Sequence, residues 1–446
     1  MKRFLALIVL FYCFSFLGFS QSKFVIQNKT QSDKIKFKLI NNLIVLPVEV
    51  NGVNLSFLLD TGVSKPIIFN FLNVSDTLKI RDTETIHLRG LGNGETVEAL
   101  RSRNNVFKIG EAVKLKQDLY AVFNSNLNFG LKLGVPVHGI IGLDIFKDFI
   151  VEINYSSKYL KLTIPKKFKY KKCKKCERFN LEFYNGKPYI YAEVNLGKKN
   201  IPVKLLIDSG GSDALWLFED DSLGIRAGDK FFNDFLGHGL SGSVYGKRSK
   251  VKTFSLKSFV LKNANVAFPD STSVLLAKKI KDRNGSLSGN ILKRFNIIFD
   301  YQKAILKLKK NNHFKEKFSY NKSGIELEHD GVRLVKEIDK NRLRNNDIPL
   351  VDNGTQNSTK IIIDPEYKIS LKPAYTIVEL REGSPAEESG LKIGDVILSI
   401  NNKQAHEYSL QEIVEMFYDD AGKRMKLKID RNGLVSTFYF QLQKLF

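Results

Sequence analysis

Short apolar runs alternate with turns along most of the chain. The runs are rich in Val, Ile, Leu and Phe, and the turns between them contain Gly, Asn, Asp or Pro. Runs such as residues 55–59 and 203–207 are too short for ordinary helices and are bounded by turn residues, so each predicts a buried strand. The pattern therefore predicts a mainly β protein.

This apolar pattern occurs twice. Residues 139–155 correspond without a gap to residues 285–301, and the Asp-Thr-Gly of residues 60–62 corresponds to the Asp-Ser-Gly of residues 208–210. Each copy runs through a hairpin, an apolar strand, the Asp-hydroxyl-Gly sequence, a glycine-rich middle, a glycine turn, a short helix and closing strands. A repeat of this length predicts two related lobes.

Two aspartates stand at equivalent places in the repeat, each at the end of a predicted strand. If the lobes pack about a pseudo-twofold axis, Asp60 meets Asp208. Two carboxyl groups at hydrogen-bonding distance share a proton, so one acts as a base while the other acts as an acid. Such a pair can activate water against a peptide carbonyl. The neighbouring hydroxyls of Thr61 and Ser209 are placed to brace the two loops.

With their strand and glycine context, these two loops resemble the active-site loops of aspartic proteases. The resemblance covers residues 41–308 and implies two fused lobes of pepsin-like arrangement, each as compact as a retroviral-type protease, acting on a polypeptide without metal or cofactor. It implies that Asp60 and Asp208 are the catalytic pair. The active-site loop residues would be Thr61, Gly62, Ser209 and Gly210, and the flap-like loop residues would be Gly92, Gly94, Gly239 and Gly242.

Three features depart from the family pattern. Val63 and Gly211 stand where pepsin-like lobes place a hydroxyl that hydrogen-bonds the carboxylate, so we expect raised pKa values and a mildly acidic to near-neutral optimum. Ser288 replaces the equivalent Gly142, so the turn behind Asp208 is expected to differ. The first flap-like segment has no Tyr, whereas the second has Tyr245.

The C-terminal part has a different pattern. Residues 377–401 give a strand, a Ser-Pro-Ala helix start, a Gly-Leu cap, a Gly-Asp turn and a second strand, and an amphipathic helix follows at 409–417. This succession resembles a PDZ domain, which implies a peptide or protein ligand added beside that helix. The expected carboxylate-binding loop lies near 371–376, but its Lys372-Pro373-Ala374 lacks the apolar-Gly-apolar form. A packing or positioning role remains open.

The charge is strongly positive, with 70 Lys and Arg against 47 Asp and Glu, giving +23. The last module is nearly neutral, and the excess peaks at residues 166–178, which read as a solvated linker. Within it, Cys173 and Cys176 suit a local disulfide, with free thiols as the alternative. An anionic envelope surface is a candidate partner. The aromatic residues are spread through apolar strands, which argues against nucleic-acid binding.

The N-terminus carries Met1-Lys2-Arg3, an apolar stretch from 4 to 19, and Ser20. It resembles a secretory signal peptide, so we expect an exported protein, periplasmic or extracellular, with an uncleaved anchor as the alternative.

Together these patterns predict two pseudo-twofold-related aspartic-protease-like β lobes followed by a PDZ-like α+β domain, acting as a monomeric exported endopeptidase. A catalytically inactive periplasmic or surface peptide-binding protein is the alternative, and a hydrolase built on Ser241 and His238 is a weaker one. The expected segments follow in chain order: a signal peptide at 1–20, lobe 1 at 21–165, a basic linker at 166–178, lobe 2 at 179–315, a connecting segment at 316–369 and the PDZ-like domain at 370–446.

Overall fold

The computed structural model describes residues 23–69, 78–92, 94–123, 128–197, 199–338 and 367–446. The signal peptide expected at 1–20 and the loop expected at 339–359 both lie outside the described residues. The chain divides into two compact units, of which the second comprises Asn321–Leu445 and the short stretch Leu131–Gly134. The fold is mainly β, as predicted. Within the described ranges, no helix has both the length and the apolar character needed to cross a membrane.

Lobe 1 is built from twelve strands and two short helices among its described residues. The strands are β1 Val25–Ile26, β2 Ser32–Lys36, β3 Lys38–Ile40, β4 Leu43–Val50, β5 Val53–Leu59, β6 Ile67–Ile68, β7 Thr83–Leu88, β8 Val97–Ile109, β9 Ala112–Val122, β10 Gly139–Ile141, β11 Ile150–Asn154 and β12 Tyr159–Thr163. The helices are α1 Phe129–Leu133 and α2 Leu143–Asp148, and a 3-10 turn follows at Pro165–Lys167.

Lobe 2 repeats this order. Its strands are β13 Cys176–Asn180, β14 Glu182–Tyr184, β15 Lys187–Asn195, β16 Asn200–Asp208, β17 Leu215–Leu217, β18 Phe232–Gly239, β19 Gly242–Leu256, β20 Phe259–Pro269, β21 Arg283–Ser288, β22 Phe295–Asp300 and β23 Ile305–Lys310. Its helices are α3 Leu275–Lys278 and α4 Gly289–Leu292, with 3-10 turns at Ser271–Val274 and Asn312–Lys315.

The two lobes share one pairing scheme around the aspartates. In lobe 1, β10 runs parallel to β5 and antiparallel to β6. In lobe 2, β21 runs parallel to β16 and antiparallel to β17. Most apolar side chains of β5 and β16 are buried, and those of Phe57, Leu59, Leu205 and Ile207 are fully so. Burial of both strands explains their near-continuous apolar sequences.

A six-stranded sheet joins the lobes and shows their symmetry directly. Its order is β13-β23-β22-β11-β12-β2. At its centre, β11 pairs with β22 so that Val151 faces Phe299 while Ile153 faces Ile297, and Glu152 faces its own sequence equivalent, Ile298. Pairing of equivalent residues means that the pseudo-twofold axis passes between these two strands. One apolar core extends through both lobes.

The basic linker is shorter than the sequence predicted. Residues 176–178 belong to β13, because Glu177 pairs with Leu308 at the edge of the joining sheet. The preceding cysteines, Cys173 and Cys176, are disulfide-bonded, in agreement with the preferred interpretation of the sequence.

The second unit is a sheet of six strands with two helices among its described residues. The strands are β24 Ile325–Ile338, β25 Tyr367–Leu380, β26 Val396–Ile400, β27 Lys403–Gln404, β28 Arg424–Arg431 and β29 Leu434–Gln441. The helices are α5 Pro385–Glu388 and α6 Leu410–Met416, with a 3-10 turn at Ala405–Glu407. Ser384 caps α5, and Ser409 with Glu412 forms a capping box at α6.

This unit begins earlier than the sequence predicted. The structure includes β24 in the same sheet, paired with β25 along its length, so residues 325–338 are not part of a connecting segment. The predicted start at 370 falls inside β25. The apolar residues of β24 are followed by a long polar stretch, and this concealed the strand's partnership with β25.

Candidate active site

The structure places Asp60 and Asp208 at the ends of β5 and β16, where the sequence predicted them. The Asp60 N–H donates to the Ile141 carbonyl at 2.9 Å, which fixes the loop against β10. Each carboxylate accepts a hydrogen bond from the N–H two residues on, from Gly62 at 2.6 Å and from Gly210 at 3.0 Å. Among the described residues, Val63 and Gly211 offer no side-chain hydroxyl to add to these two backbone donors.

Thr61 and Ser209 join the two loops by reciprocal hydrogen bonds. The Thr61 hydroxyl donates to the Ile207 carbonyl at 2.6 Å and accepts from the Ser209 N–H at 3.0 Å. The Ser209 hydroxyl donates to the Leu59 carbonyl at 2.8 Å and accepts from the Thr61 N–H at 3.0 Å. Both side chains are buried. The bracing role predicted for these hydroxyls is therefore present.

The bracing brings the two carboxyl groups close together, since the position of a Cβ at Gly62 lies within 3.7 Å of an oxygen atom of each. Gly210 lies so close to Asp60 that a Cβ there would overlap the Asp60 carboxyl group, and a Cβ at Gly62 would lie 3.0 Å from Asp60 Oδ1. Gly210 therefore leaves the space that the Asp60 carboxyl group occupies.

Both members of the pair have raised pKa values. Burial raises the pKa of Asp60 to about 7, assisted by the charge of Asp208, while the Gly62 N–H and Lys187 oppose the shift. Burial also raises the pKa of Asp208, against the opposing effects of Arg283, the Gly210 N–H and Lys187. The direction agrees with the expectation from Val63 and Gly211. One proton can thus be shared by the pair up to near-neutral pH.

The turn behind Asp208 differs from that of lobe 1, as expected from Ser288: ψ is −101° at Gly142 and −171° at Ser288. Gly142 and Ser288 occupy the same place, each immediately before its lobe's helix α2 or α4. A Cβ at Gly142 would collide with the Asp60 carbonyl, whereas lobe 2 accommodates the Ser288 side chain beside Gly211. The expected difference is therefore present both in the backbone and in the local packing.

The two flap-like loops meet each other at their tips. The Ser241 hydroxyl accepts from the Gly90 N–H at 3.1 Å, its N–H donates to the Leu91 carbonyl at 2.9 Å, and its carbonyl accepts from the Gly94 N–H at 2.7 Å. At the predicted glycines Gly92, Gly94 and Gly239, an added Cβ would overlap backbone of the opposite loop, and Gly242 follows Ser241 directly.

Leu91 anchors the first flap-like loop in lobe 2, a contact that the sequence did not reveal. Its side chain packs against one apolar cluster of Phe218, Val274 and Ala277 and a second of Leu236, Val244 and Ala267. Ser241 is committed to the loop contact, and the His238 ring bonds Ser243 at 3.2 Å. The structure therefore gives no support to a Ser241–His238 nucleophile.

Two family models match the sequence of the chain. A model described as aspartyl protease matches residues 46–145, and one described as PDZ domain matches residues 376–431. The chain combines an aspartyl protease domain with a C-terminal PDZ domain. The first match includes Asp60 but not Asp208, because it ends at residue 145. Lobe 2 is related to lobe 1 by the repeated strand pairing and by the pseudo-twofold axis between β11 and β22.

A buried charge network supports the second active-site loop of the aspartyl protease domain. Arg248 Nη1 donates to Asp213 at 2.8 Å, and Arg248 Nε donates to Asp234 at 2.7 Å. Asp213 also accepts from Trp216 Nε1 at 2.7 Å. The network ties the loop after Asp208 to the base of the β18–β19 hairpin. Sequence reasoning missed it because its members come from four separate segments.

Among the described residues, no group of three or more His, Cys, Asp or Glu side chains is arranged to hold a metal ion.

The PDZ domain differs from the sequence prediction at its carboxylate-binding loop. Residues 371–376 lie within β25, between β24 and β26, and so form no loop. The strand that packs against α6 is β24, at the end of the sheet, and the turn at residues 321–324 precedes it.

The backbone N–H groups of this turn already have acceptors. Those of Ser323 and Gly324 donate to the Asn321 side chain at 3.0 and 3.2 Å, and that of Ile325 donates to the Ser323 hydroxyl at 3.0 Å. The Lys322 N–H donates to the Phe417 carbonyl at 2.8 Å. The turn therefore leaves none of these four donors for a ligand carboxylate.

Proposed function

We propose that this protein is an exported aspartic endopeptidase that hydrolyses peptide bonds with a water held between Asp60 and Asp208. The observation that carries the proposal is the carboxyl pair, held close together by the reciprocal hydrogen bonds of Thr61 and Ser209. A turn of purely structural purpose has no need to hold two acids with raised pKa values against each other.

The chemistry follows from one shared proton. The ionised carboxylate accepts a proton from the water while the oxygen of the water attacks the peptide carbonyl carbon. The protonated carboxyl group donates its proton to the carbonyl oxygen. The tetrahedral adduct collapses when the carboxyl group that took up the proton of the water donates it to the amide nitrogen and the C–N bond breaks, while the other, now ionised, carboxylate takes a proton from a hydroxyl group of the adduct. The pair returns to its singly protonated form, so no metal or covalent intermediate takes part in this sequence.

The flap-like loops support an extended polypeptide as the substrate. Their tips are joined by three backbone or hydroxyl hydrogen bonds and by the Leu91 side chain, so entry of a chain requires these contacts to separate and to re-form. Closure around the substrate would exclude bulk water from the reacting carbonyl.

The PDZ domain supports recruitment of a peptide segment of the substrate or of a partner. A strand added along β24, the end strand of the sheet, would use the backbone recognition typical of such domains. It would meet the Leu131–Gly134 stretch, whose Lys132 lies 3.9 Å from Glu328 of β24 and whose Gly134 adjoins Leu410 of α6. Export by the N-terminal segment, a monomeric state and contact with an anionic envelope surface belong to the same proposal, and they rest on the sequence patterns at residues 1–20 and 166–178.

The proposal is tested by incubating residues 21–446 with an unfolded protein between pH 3 and 9 and identifying new termini by mass spectrometry. We expect cleavage by the wild-type chain and none by Asp60→Asn. Asp229→Asn, at an exposed loop position, serves as the matched control and should cleave normally. Binding of the unfolded protein without cleavage at any pH would support the inactive binding protein instead.

A further inference from the structure

Arg283 extends along lobe 2 toward the catalytic pair. It begins β21, and its Nη2 donates to the Ser286 hydroxyl at 3.0 Å while its Nε donates to the Gly285 carbonyl at 3.2 Å. Ser286 is in register with Leu206 of the parallel strand β16. The guanidinium group therefore reaches the level of Leu206 although its own backbone lies further from the site.

Leu206 and Asp208 project from the same face of β16, because alternate residues of a strand share a face. Their separation along the strand is about 7 Å. The position of Arg283 next to this face agrees with its effect on Asp208, since its charge opposes the rise in the pKa of that carboxyl group.

The environment of Arg283 suits a planar anion. Its guanidinium lies over the Phe218 ring at 5.3 Å and near the Tyr189 ring at 6.0 Å. No ion pair joins it to a carboxylate of the described residues, and both acceptors named above are neutral. An arginine has five N–H donors in a fork that matches a carboxylate, so donors remain for a ligand.

Two lysines lie near the site, and only one of them adds a charge that acts on both aspartates. Lys187 lowers the pKa of both Asp60 and Asp208. Lys204, two residues before Leu206, pairs with Glu182 at 2.6 Å and so has its charge largely compensated. Unlike Lys204, Arg283 acts on Asp208 while its own hydrogen-bond acceptors are neutral.

We propose that Arg283 binds the carboxylate of a substrate Asp or Glu within two residues of the cleaved bond, so that the protease prefers acidic segments. This inference rests on the proposed function and adds its substrate class. Arg283 would act as a specificity-determining residue, since it binds a side chain of the substrate and takes no part in the proton transfers.

The first test is the cleavage profile of a mixture of unfolded proteins. We expect Asp and Glu to be enriched at one position within two residues of the bond for the wild-type chain, and Arg283→Met to lose that enrichment. For peptides that differ only in Glu or Gln at that position, the ratio of kcat/KM values should fall by about tenfold in Arg283→Met. Arg283→Lys should restore part of the ratio.

Arg226→Met provides the matched control, because Arg226 is an exposed arginine of the same lobe. It should keep the wild-type ratio. A general attraction of acidic peptides to the basic surface would leave the ratio unchanged in Arg283→Met, and this result would overturn the inference while the proposed function stands. A folding defect would lower the rates for Glu and Gln peptides equally. Failure of the wild-type chain to cleave anything would instead reject the proposed function.

Discussion

The raised pKa values of Asp60 and Asp208 define the chemistry that this pair can perform. A working pair needs one ionised and one protonated carboxyl group. With the pKa of Asp60 at about 7, the protonated member persists to near-neutral pH, and activity should decline as the pH rises past that value. We therefore predict a maximum of kcat/KM in mildly acidic to near-neutral solution. A rate that increases steadily below about pH 3, where a pair with low pKa values would work, would contradict this prediction.

The same shift predicts how Asp60 affects stability. Its pKa is higher in the folded chain than the ordinary 3.8, so its favourable contribution is complete below that value and is lost as the pH rises through about 7. Asp60→Asn should therefore increase the free energy of unfolding at pH 8 by about 1–2 kcal/mol, with little change at pH 4. Denaturant unfolding at both pH values measures this, with Asp229→Asn as the control. An equal effect at the two pH values would contradict the assigned cause.

At the scale of elements, the contact between the flap-like loops depends on one apolar side chain. Leu91 is partly buried against two apolar clusters of lobe 2, so it contributes part of the about 1.5–3 kcal/mol that full burial of a Leu side chain gives. Leu91→Asp should lower kcat/KM by about tenfold, because the closed loop pair is disfavoured. Leu223→Asp, an exposed leucine of lobe 2, should have little effect. Unchanged kcat/KM in Leu91→Asp would show that loop contact is dispensable for cleavage.

The sequence predicted those elements that are encoded by a local residue pattern present in both lobes. The strands that end at Asp60 and Asp208 were predictable because apolar runs, the Asp-hydroxyl-Gly order and the later glycine turn recur in both lobes. The partners of Leu91 and the Arg248 network were not predictable, because they join segments far apart in the chain that share no pattern. β24 was missed because its pairing partner, β25, begins only after residues 339–366.

At the scale of the whole molecule, an aspartyl protease domain and a PDZ domain share one chain, and the turn before β24 has its backbone donors already bonded. Its N–H groups are occupied by Asn321, Ser323 and Phe417. We predict that peptides with an amidated C-terminus bind within about twofold of the free acids, since strand addition does not need the carboxylate. Titration calorimetry measures the dissociation constants of the amidated and the free-acid peptide. It uses the full Asp60→Asn chain, which should leave the peptides intact. Weakening by about tenfold or more on amidation would contradict the prediction.

The central claim is that two repeats of one chain form a single active site, and it depends on Asp208, which lies outside the range matched by the aspartyl protease model. The most direct measurement is kcat/KM for a quenched fluorescent peptide with the wild-type chain and with Asp208→Asn. Loss of one member of an acid–base pair predicts a decrease of about 10²–10⁴-fold. Wild-type kcat/KM in Asp208→Asn, with Asp60→Asn inactive, would show that Asp60 does not work with Asp208 and would contradict the account.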